Sequence, residues 1–278
     1  MDCLYKFYYS NIIQKYLGLI RDVHDDRDYR ILFDAENLPN KVDLRSQSPY
    51  VFDQGPMPSC TANAVAIIFD WIQDRNYKND VNAKKFIPSR LFLYYNTRKL
   101  EGNQLKLTGS SIRNCILSAI NIGVCSEEFW PYDVQKYKTE PIASSYTNAK
   151  KNLITKYARV DIDEYQIKLC LKQGNPIVFG LMVYNNWFFD PKIRQTGYVS
   201  LPKPSDKQVG GHAMVIVGYD DKIKQFIVQN SWGKNWGDKG FCYIPYEYIL
   251  NRTLAWDFWV IKNTDKPDVS YQIINPKK

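Results

Sequence analysis

One cysteine in this chain stands where a reactive thiol would be expected. Cys60 ends the stretch DQGPMPSC, and an apolar run, TANAVAIIFDWI, follows it directly. The prolines and the glycine predict a tight loop, and the apolar run predicts a buried helix that begins at the cysteine. The partial positive charge at a helix N-terminus favours the thiolate, which is the nucleophilic form of cysteine. Cys60 is therefore a candidate to attack a carbonyl carbon if an imidazole lies beside it.

The search for that imidazole is short because the chain has only 2 histidines. His24 lies in a charged segment, whereas His212 lies in GGHAMVIVGYDD, at the predicted start of a strand. An imidazole must be held in one tautomer by a third group, and Asn230 in VQNSWGKNWG offers an amide oxygen. Trp232 would cover that pair. Each motif alone is weak, because a buried cysteine or a strand histidine is usually structural. The order Cys60, His212, Asn230 favours a catalytic triad.

A set of short motifs, taken in order, resembles the papain-like (C1) cysteine peptidases, which include the cathepsins. LPNKVDLRS at 38–46 looks like the start of the mature enzyme in that family. The other motifs are Gln54-Gly55 with Ser59-Cys60, Gly211-His212-Ala213, Asn230-Ser231-Trp232-Gly233 and Trp236-Gly237. The resemblance spans about residues 38–262. SCTANA in place of SCWAF, with IPSRLFLYYN, GVCSEEFWPYD and DDRDY, is similar to a branch from bacteria and giant viruses.

The resemblance implies a role for each of these residues. Cys60 would be the nucleophile, His212 the general base and acid, and Asn230 the group that orients the imidazole. The Gln54 side chain and the backbone N–H of Cys60 would form an oxyanion hole. Peptide bonds would then be hydrolysed through a thioester acyl-enzyme. Four further residues would bind the substrate: Gly109, Ser110, Gly211 and Trp232.

The order of elements predicts an α+β fold. Helices are predicted at about 60–76, 88–100 and 109–122, and strands dominate after residue 210. The resemblance implies one papain-like peptidase domain over 37–262. Its two lobes would be mainly helical over about 45–155 and an antiparallel, barrel-like sheet over about 156–262, with the active-site cleft between them.

The two ends of the chain are expected to lie outside that domain. Residues 1–36 are expected to form a pro-segment or clasp. Such a segment would either occlude the cleft or simply cover apolar surface. Residues 263–278 contain two prolines and few apolar residues, and we expect a loose C-terminal tail there.

Charge and hydropathy exclude some classes of partner. Lys and Arg number 37 against 29 Asp and Glu, a net charge of +8, but the lysines are scattered and no nucleic-acid motif accompanies them. No apolar run approaches the roughly 18 residues of a membrane span, and the N-terminus lacks a signal-peptide pattern. We therefore expect a monomer that acts on a protein or peptide, with no nucleic-acid or membrane partner, inside a cell or a virion.

The cysteines predict neither a metal site nor a disulfide framework. The 6 cysteines show no CxxC spacing and have no histidine partners for zinc, so no metal and no cofactor are expected. The resemblance would place a disulfide between position 57 and a position near 107. Those positions hold Met57 and Leu107, so both halves are missing together. Their joint loss favours a reducing compartment.

The reaction type keeps two alternatives open. Cathepsin B, within the same family, trims dipeptides with a loop that carries paired histidines, and this chain has no spare pair. We therefore predict an endopeptidase, or else an exopeptidase that trims by some other device. The same triad could instead transfer the acyl group to an amine, or the chain could be a dead pseudoprotease that serves as a binding module. The presence of all four catalytic residue types disfavours the dead form.

Overall fold

The computed structural model describes residues 16–33, 35–47, 50–79, 82, 85–262 and 271–274. Eight α-helices lie in these ranges. They are α1 (Cys60–Asn79), α2 (Arg90–Leu100), α3 (Ile112–Asn121), α4 (Ala143–Ala149), α5 (Glu164–Lys172), α6 (Asn186–Phe189), α7 (Pro191–Thr196) and α8 (Tyr246–Leu250). Short 3-10 turns occur at Arg45–Gln47 and Val134–Lys136.

One nine-stranded sheet joins both halves of the chain. Its strands are β1 (Arg30–Phe33), β2 (Lys41–Asp43), β3 (Lys156–Arg159), β4 (Ile177–Tyr184), β5 (Gln208–Asp220), β6 (Gln225–Gln229), β7 (Phe241–Pro245), β8 (Ala255–Lys262) and β9 (Tyr271–Ile274). The order is β7-β6-β5-β4-β8-β3-β1-β9, with β2 paired to β5. All neighbours are antiparallel except β1 and β3, which are parallel.

The three predicted helices of the first half are present, and local capping sets where two of them begin. The Ser89 side chain accepts a hydrogen bond from Phe92 N at the start of α2, and Ser111 does the same for Asn114 N at α3. Helix α1 is buried along its first three turns, from Cys60 to Trp71. It therefore forms the centre of the helical lobe, as its apolar composition predicts.

The α+β class is confirmed, but the barrel-like description of the β lobe is wrong. The described strands form an open path with β7 at one end and β9 at the other. The sheet stays open because β1 and β9 continue it beyond β3 instead of returning to β7. The residues expected to form a loose tail therefore include an edge strand, while 263–270 and 275–278 lie outside the described residues.

Five cysteines are described, and all five are free and buried: Cys60, Cys115, Cys125, Cys170 and Cys242. Met57 is 1% exposed and Leu107 is 47% exposed, so the two positions where a disulfide would be usual differ in environment. Cys3 lies outside the described residues. Within the described ranges, none of the helices combines the length and hydropathy that a bilayer crossing needs.

Helix α1 carries one buried carboxyl group, that of Asp70, for which the described residues supply no hydrogen-bond partner. Asp70 is 1% exposed, and within the described part of the chain neither carboxylate oxygen has a hydrogen-bond partner. Burial raises the pKa of Asp70 to about 7, with Lys85 opposing the shift and Asp74 adding to it. Because the folded-state pKa lies above the ordinary value, the folded protein binds this proton more tightly than the unfolded chain does.

We expect Asp70→Asn to raise the melting temperature at pH 8 but not at pH 5. The favourable contribution of neutral Asp70 is complete below pH 4 and is lost as the pH rises through about 7. At pH 8 the native protein must hold a buried charge that the amide avoids. Thermal unfolding across pH 5–8 measures the effect. Asp74→Asn is the control, because Asp74 is paired with Lys78 and Lys85. Parallel profiles for Asp70→Asn and the parent chain would contradict the expectation.

Candidate active site

Cys60 lies where the first turn of α1 meets strand β5. Its thiol is completely buried, and the backbone N–H groups of Ala213, Gly18 and Thr61 act to lower its pKa. Ala213 follows His212 on β5, so the thiol lies beside the strand position that carries the imidazole. The helix N-terminus and the β lobe thus meet at the sulfur, as the sequence predicts.

His212 is held in one orientation by Asn230. Asn230 directly follows β6, which is paired with β5, and its Oδ1 lies 2.8 Å from His212 Nε2. The same Oδ1 accepts a hydrogen bond from Ser231 N at 2.8 Å, which identifies it as the amide oxygen. Nε2 must therefore donate. Nδ1 has no hydrogen-bond partner among the described residues and keeps a lone pair that can accept the thiol proton.

Trp232 covers the imidazole. Its ring stacks on His212 with centroids 4.8 Å apart and an interplanar angle of 28°. Phe188 and Trp236 pack around the indole at centroid distances of 4.9 Å and 5.1 Å. This aromatic group excludes water from the His212–Asn230 hydrogen bond. The second histidine, His24, lies on the surface beside Asp26 and takes no part in the site.

Gln54 projects a side-chain amide into the same cleft. Ser231 Oγ donates to Gln54 Oε1 at 2.7 Å, which fixes the amide orientation. Nε2 donates to Met57 O at 2.8 Å and to Tyr16 O at 3.0 Å. Gly55 has a φ of +57°, in the left-handed region that glycine adopts without strain, and allows the tight turn after Gln54. Gln54 therefore already binds a backbone carbonyl oxygen near the thiol.

The cleft is filled by residues Tyr16–Ile20, which we call the covering segment. Ser110 N donates to Gly18 O at 2.9 Å, and Ile20 N donates to Ser110 O at 3.0 Å. Leu19 N donates to Gly211 O at 3.1 Å from the other lobe. Ser110 and Gly211, both predicted to bind substrate, thus bind a peptide backbone here.

Close approach of this backbone explains two glycines. A Cβ at Gly109 would lie 1.6 Å from Gly18 O, and one at Gly211 would lie 2.9 Å from Leu19 O. Either side chain would displace the covering segment. Gly109 therefore borders the covering segment, where its contribution is the absence of a side chain and not a hydrogen bond.

Sequence reasoning missed a side-chain pocket beside this backbone. Leu19 projects between Gly180 on β4 and Trp256 on β8, so closely that a Cβ at Gly180 would lie 2.3 Å from Leu19 Cδ2. Gly211 borders the same space. No motif marks Gly180 or Trp256. An isolated glycine inside the apolar strand IVFGLMVY was the one available signal of a close approach.

The chain that follows the covering segment is anchored through Asp22. Its carboxylate accepts hydrogen bonds from Arg113 N at 3.0 Å and from Trp259 Nε1 at 2.8 Å. Its own N–H donates to Asp257 Oδ2 at 2.7 Å. Asp257 has a φ of +56°, which is unusual for a residue with a side chain and aims its carboxylate at this N–H. Asp22 is thus tied to both α3 and β8.

A second set of ion pairs fixes the chain six residues further on. Asp28 is paired with Arg113, through both Nε at 2.9 Å and Nη2, and with Arg159 Nε at 2.6 Å. Arg159 also reaches Asp22 Oδ2 at 3.4 Å. We call Asp22 and Asp28 with these partners the anchor. It fixes the chain that follows the covering segment to α3, β3 and β8, immediately outside the cleft.

Burial sets the charge state of the catalytic pair in this arrangement. Burial raises the pKa of the Cys60 thiol to about 11, against the backbone N–H groups that favour the thiolate. It lowers the pKa of His212 to about 4, against the hydrogen bond to Asn230. Both groups are therefore neutral at pH 7. The sequence led us to expect a thiolate, and the difference arises because both groups are fully buried.

The remaining donors in the described ranges form no metal site, because none of their His, Cys, Asp and Glu side chains cluster in groups of three or more. An α+β fold that brings a thiol, an imidazole and a side-chain amide to one cleft is typical of thiol hydrolases.

Comparisons with known proteins agree with that class. The profile of the papain family cysteine proteases matches residues 38–252. An uncharacterized peptidase C1-like protein of Acanthamoeba polyphaga mimivirus is 36% identical over an alignment of 288 positions that covers 94% of this chain and 91% of the relative. Xylellain, a cysteine protease from Xylella fastidiosa, is 40% identical, with a TM-score of 0.82 over 90% of this chain and 96% of that one.

The chain therefore belongs to the papain family of cysteine proteases. The viral and bacterial relatives are consistent with the branch that the SCTANA motif indicates. The digestive procathepsin L 3 of Tenebrio molitor larval midgut, at 17% identity and a TM-score of 0.68 over 93% of this chain and 79% of that one, shares the fold. Cathepsin B-like CP2 of Giardia intestinalis is 24% identical over 75% of this chain and 69% of its own length.

We expect Leu19→Glu to make Cys60 reactive. A carboxylate is costly in the apolar space beside Gly180 and Trp256, so the covering segment should leave the cleft and readmit water. Site-resolved alkylation by iodoacetamide at pH 6 should then be about tenfold faster or more at Cys60. Adding His212→Ala should abolish the gain.

Leu19→Met is the matched control, because methionine keeps the pocket filled and should leave Cys60 slow. Equal Cys60 rates in the Leu19→Glu and Leu19→Met chains would show that the segment does not control access to the thiol. The other four described cysteines provide an internal reference in each digest.

Proposed function

We propose that this protein hydrolyses peptide bonds by a Cys60–His212–Asn230 mechanism, as an endopeptidase. The observation that carries the proposal is the meeting of three groups in one cleft. A thiol lies at a helix N-terminus, an imidazole donates from Nε2 to Asn230, and the Gln54 amide donates to a peptide carbonyl. Cysteine peptidase activity follows from the family; the roles of the individual residues are the proposal.

Acylation uses these groups in sequence. His212 Nδ1 accepts the thiol proton, and the Cys60 thiolate attacks the carbonyl carbon of the scissile bond. Gln54 Nε2 and the Cys60 backbone N–H stabilise the negative charge that develops on the carbonyl oxygen. The C–N bond then breaks while the imidazolium gives its proton to the leaving amine. The product is a thioester and a free amine.

Deacylation repeats the same steps with water. Neutral His212 takes a proton from water, and the hydroxide oxygen attacks the thioester carbonyl. The oxyanion is held by the same two donors, and the thiolate leaves and recovers its proton from the imidazolium. Asn230 keeps the imidazole in the tautomer that serves both halves of the reaction.

The path of the covering segment supports endopeptidase action. Its backbone follows Ser110 on one lobe and Gly211 on the other, and the chain continues past Ile20 to Asp22. A peptide can therefore leave that end of the cleft without its terminus being captured. A transferase that uses the same triad would differ in the acceptor, an amine in place of water. A dead pseudoprotease would bind peptides without turnover.

We further propose that residues 1–36 occlude the cleft until they are displaced, as a pro-segment or clasp. Support comes from the covering segment, which occupies Gln54 Nε2, Ser110 and Gly211, and whose Gly18 N–H lies at the thiol. The anchor holds the following residues. The alternative, an arm that merely covers apolar surface, does not account for polar contacts to these cleft residues.

We expect the chain carrying Leu19→Glu to cleave a quenched peptide blocked at both ends. Cys60→Ala should abolish cleavage, and Gln54→Ala should lower kcat by about 10²–10³ because one oxyanion donor is lost. Asn76→Ala, on the partly exposed end of α1, is a control for substitution of a surface amide.

The products separate the alternatives. Cleavage of blocked peptides contradicts an obligate exopeptidase, and amide products formed with added amine identify a transferase. Binding of peptide with no turnover in the Leu19→Glu chain would contradict the hydrolase proposal and favour the pseudoprotease.

We expect Asp22→Ala to raise activity towards that peptide about tenfold, because the substitution removes acceptors from Arg113 N and Trp259 Nε1 and weakens the anchor. Asp26→Ala is the matched control, since Asp26 has a side chain 78% exposed and is paired with His24 in the same segment. Unchanged activity of a folded Asp22→Ala chain would contradict control by occlusion. Point variants are preferable to deletion of 1–36, which would remove strand β1 from the sheet.

A further inference from the structure

The loop between Gln54 and Cys60 is tied at both ends to one tyrosine hydroxyl. Tyr132 Oη donates to Gln54 O at 2.9 Å. It also lies 2.7 Å from Ser59 Oγ, one residue before Cys60. Tyr132 comes from the segment between α3 and α4 and does not line the cleft occupied by the covering segment. Its hydroxyl thus connects the backbone of Gln54 to the side chain of Ser59, the residue before Cys60.

The direction of these hydrogen bonds can be assigned. A phenol has one proton, so if Tyr132 Oη donates to Gln54 O, Ser59 Oγ must donate to Tyr132 Oη. Asn63 Nδ2 in turn donates to Ser59 Oγ and to Ser59 O, both at 3.0 Å. The chain Asn63 to Ser59 to Tyr132 to Gln54 therefore runs in one sense, and each bond polarises the next.

Arg90 fixes the tyrosine from the other side. Its guanidinium lies 3.9 Å from the centroid of the Tyr132 ring. Arg90 Nη1 donates to Asp53 O at 3.1 Å, and Nε donates to Glu127 Oε1 at 2.7 Å. The side chain of Arg90 is itself buried. The ring is thus held between a cation and the loop, and the same cation binds the backbone of Asp53, next to Gln54.

We propose that Tyr132 is a positioning residue for the reaction: its hydroxyl sets the separation of the Gln54 amide and the Cys60 N–H, and so their fit to the tetrahedral oxyanion. This inference rests on the proposed hydrolysis. The loop between the two donors contains tight turns, with Met57 N bonded to Gly55 O and Ser59 N to Met57 O. Without the hydroxyl, Gln54 O loses its partner and the turn is free to relax. Small displacements of an oxyanion donor are costly to the rate.

The test is Tyr132→Phe in the full-length chain, both alone and combined with Leu19→Glu, which is expected to open the cleft. Tyr219→Phe is the matched control, because Tyr219 Oη also donates to a loop carbonyl, Pro39 O at 2.6 Å, but far from the cleft on β5. Three quantities are measured for each chain: kcat and KM for the blocked peptide, inhibition by a peptide aldehyde, and the rate of Cys60 alkylation by iodoacetamide. The aldehyde adduct carries an oxyanion, whereas alkylation forms none.

We expect kcat to fall roughly tenfold to a hundredfold in Tyr132→Phe, less than for loss of a whole donor, with KM nearly unchanged. Aldehyde inhibition should weaken by a similar factor, while Cys60 alkylation stays within about twofold of the parent. Tyr219→Phe should match the parent in all three. A melting temperature for each chain verifies that folded proteins are compared. If Tyr132→Phe unfolds, Tyr132→Trp, which keeps an N–H donor, replaces it in the same three measurements.

Two other results would overturn the proposal. If kcat and aldehyde affinity in Tyr132→Phe match those of Tyr219→Phe, the hydroxyl does not position the donors. If alkylation falls in parallel with kcat, Tyr132 acts on the thiol or on the fold. Absence of both turnover and aldehyde binding in a Leu19→Glu parent whose Cys60 is alkylated faster than in Leu19→Met would be different, because it would overturn the hydrolase proposal together with this one.

Discussion

The contact between the first turn of α1 and strand β5 is the constraint on which the site depends. Cys60 begins a helix that is buried along its first three turns, and His212 and Ala213 belong to the strand that pairs with β4, β6 and β2. The thiol and the imidazole are therefore held by a helix start and a central strand and not by a flexible loop, which is what a reaction between fixed groups requires.

The sequence predicted which reactive side chains lie in the cleft, but it did not predict that Tyr16–Ile20 would fill the cleft. Cys60, His212, Asn230 and Gln54 were identifiable because each lies in a short motif whose residue types meet a local structural requirement, such as a helix start, a close approach or a turn. The structure brings all four together. The helices at α2 and α3 were equally visible, because proline or glycine and serine mark their starts. Local signals of this kind survive in a linear sequence.

What the sequence could not predict were the contacts made over long separations. Nothing in YLGLI indicates that Gly18 and Leu19 would meet Ser110 and Gly211. The anchor is equally hidden, since Asp22 and Asp257 are 235 residues apart and neither belongs to a motif. The open sheet was misjudged for the same reason. β1 and β9 come from opposite ends of the chain, and their pairing depends on the rest of the fold.

The attachment of the covering segment has a consequence for how access to the cleft can be regulated. In the anchor, Asp28 is paired with Arg113 of α3. Strand β1, which follows in the chain, lies inside the sheet between β3 and β9. Under the proposed occlusion, the segment would act as a tethered ligand, whose effective concentration at the cleft can reach the order of millimolar whatever the amount of protein present. A substrate would have to compete against that fixed concentration. The substrate concentration needed to open the cleft would be set by the ratio of the affinity for substrate to the affinity for the covering segment. A weak anchor would then give a protein that responds to substrate concentration without any cut in its chain.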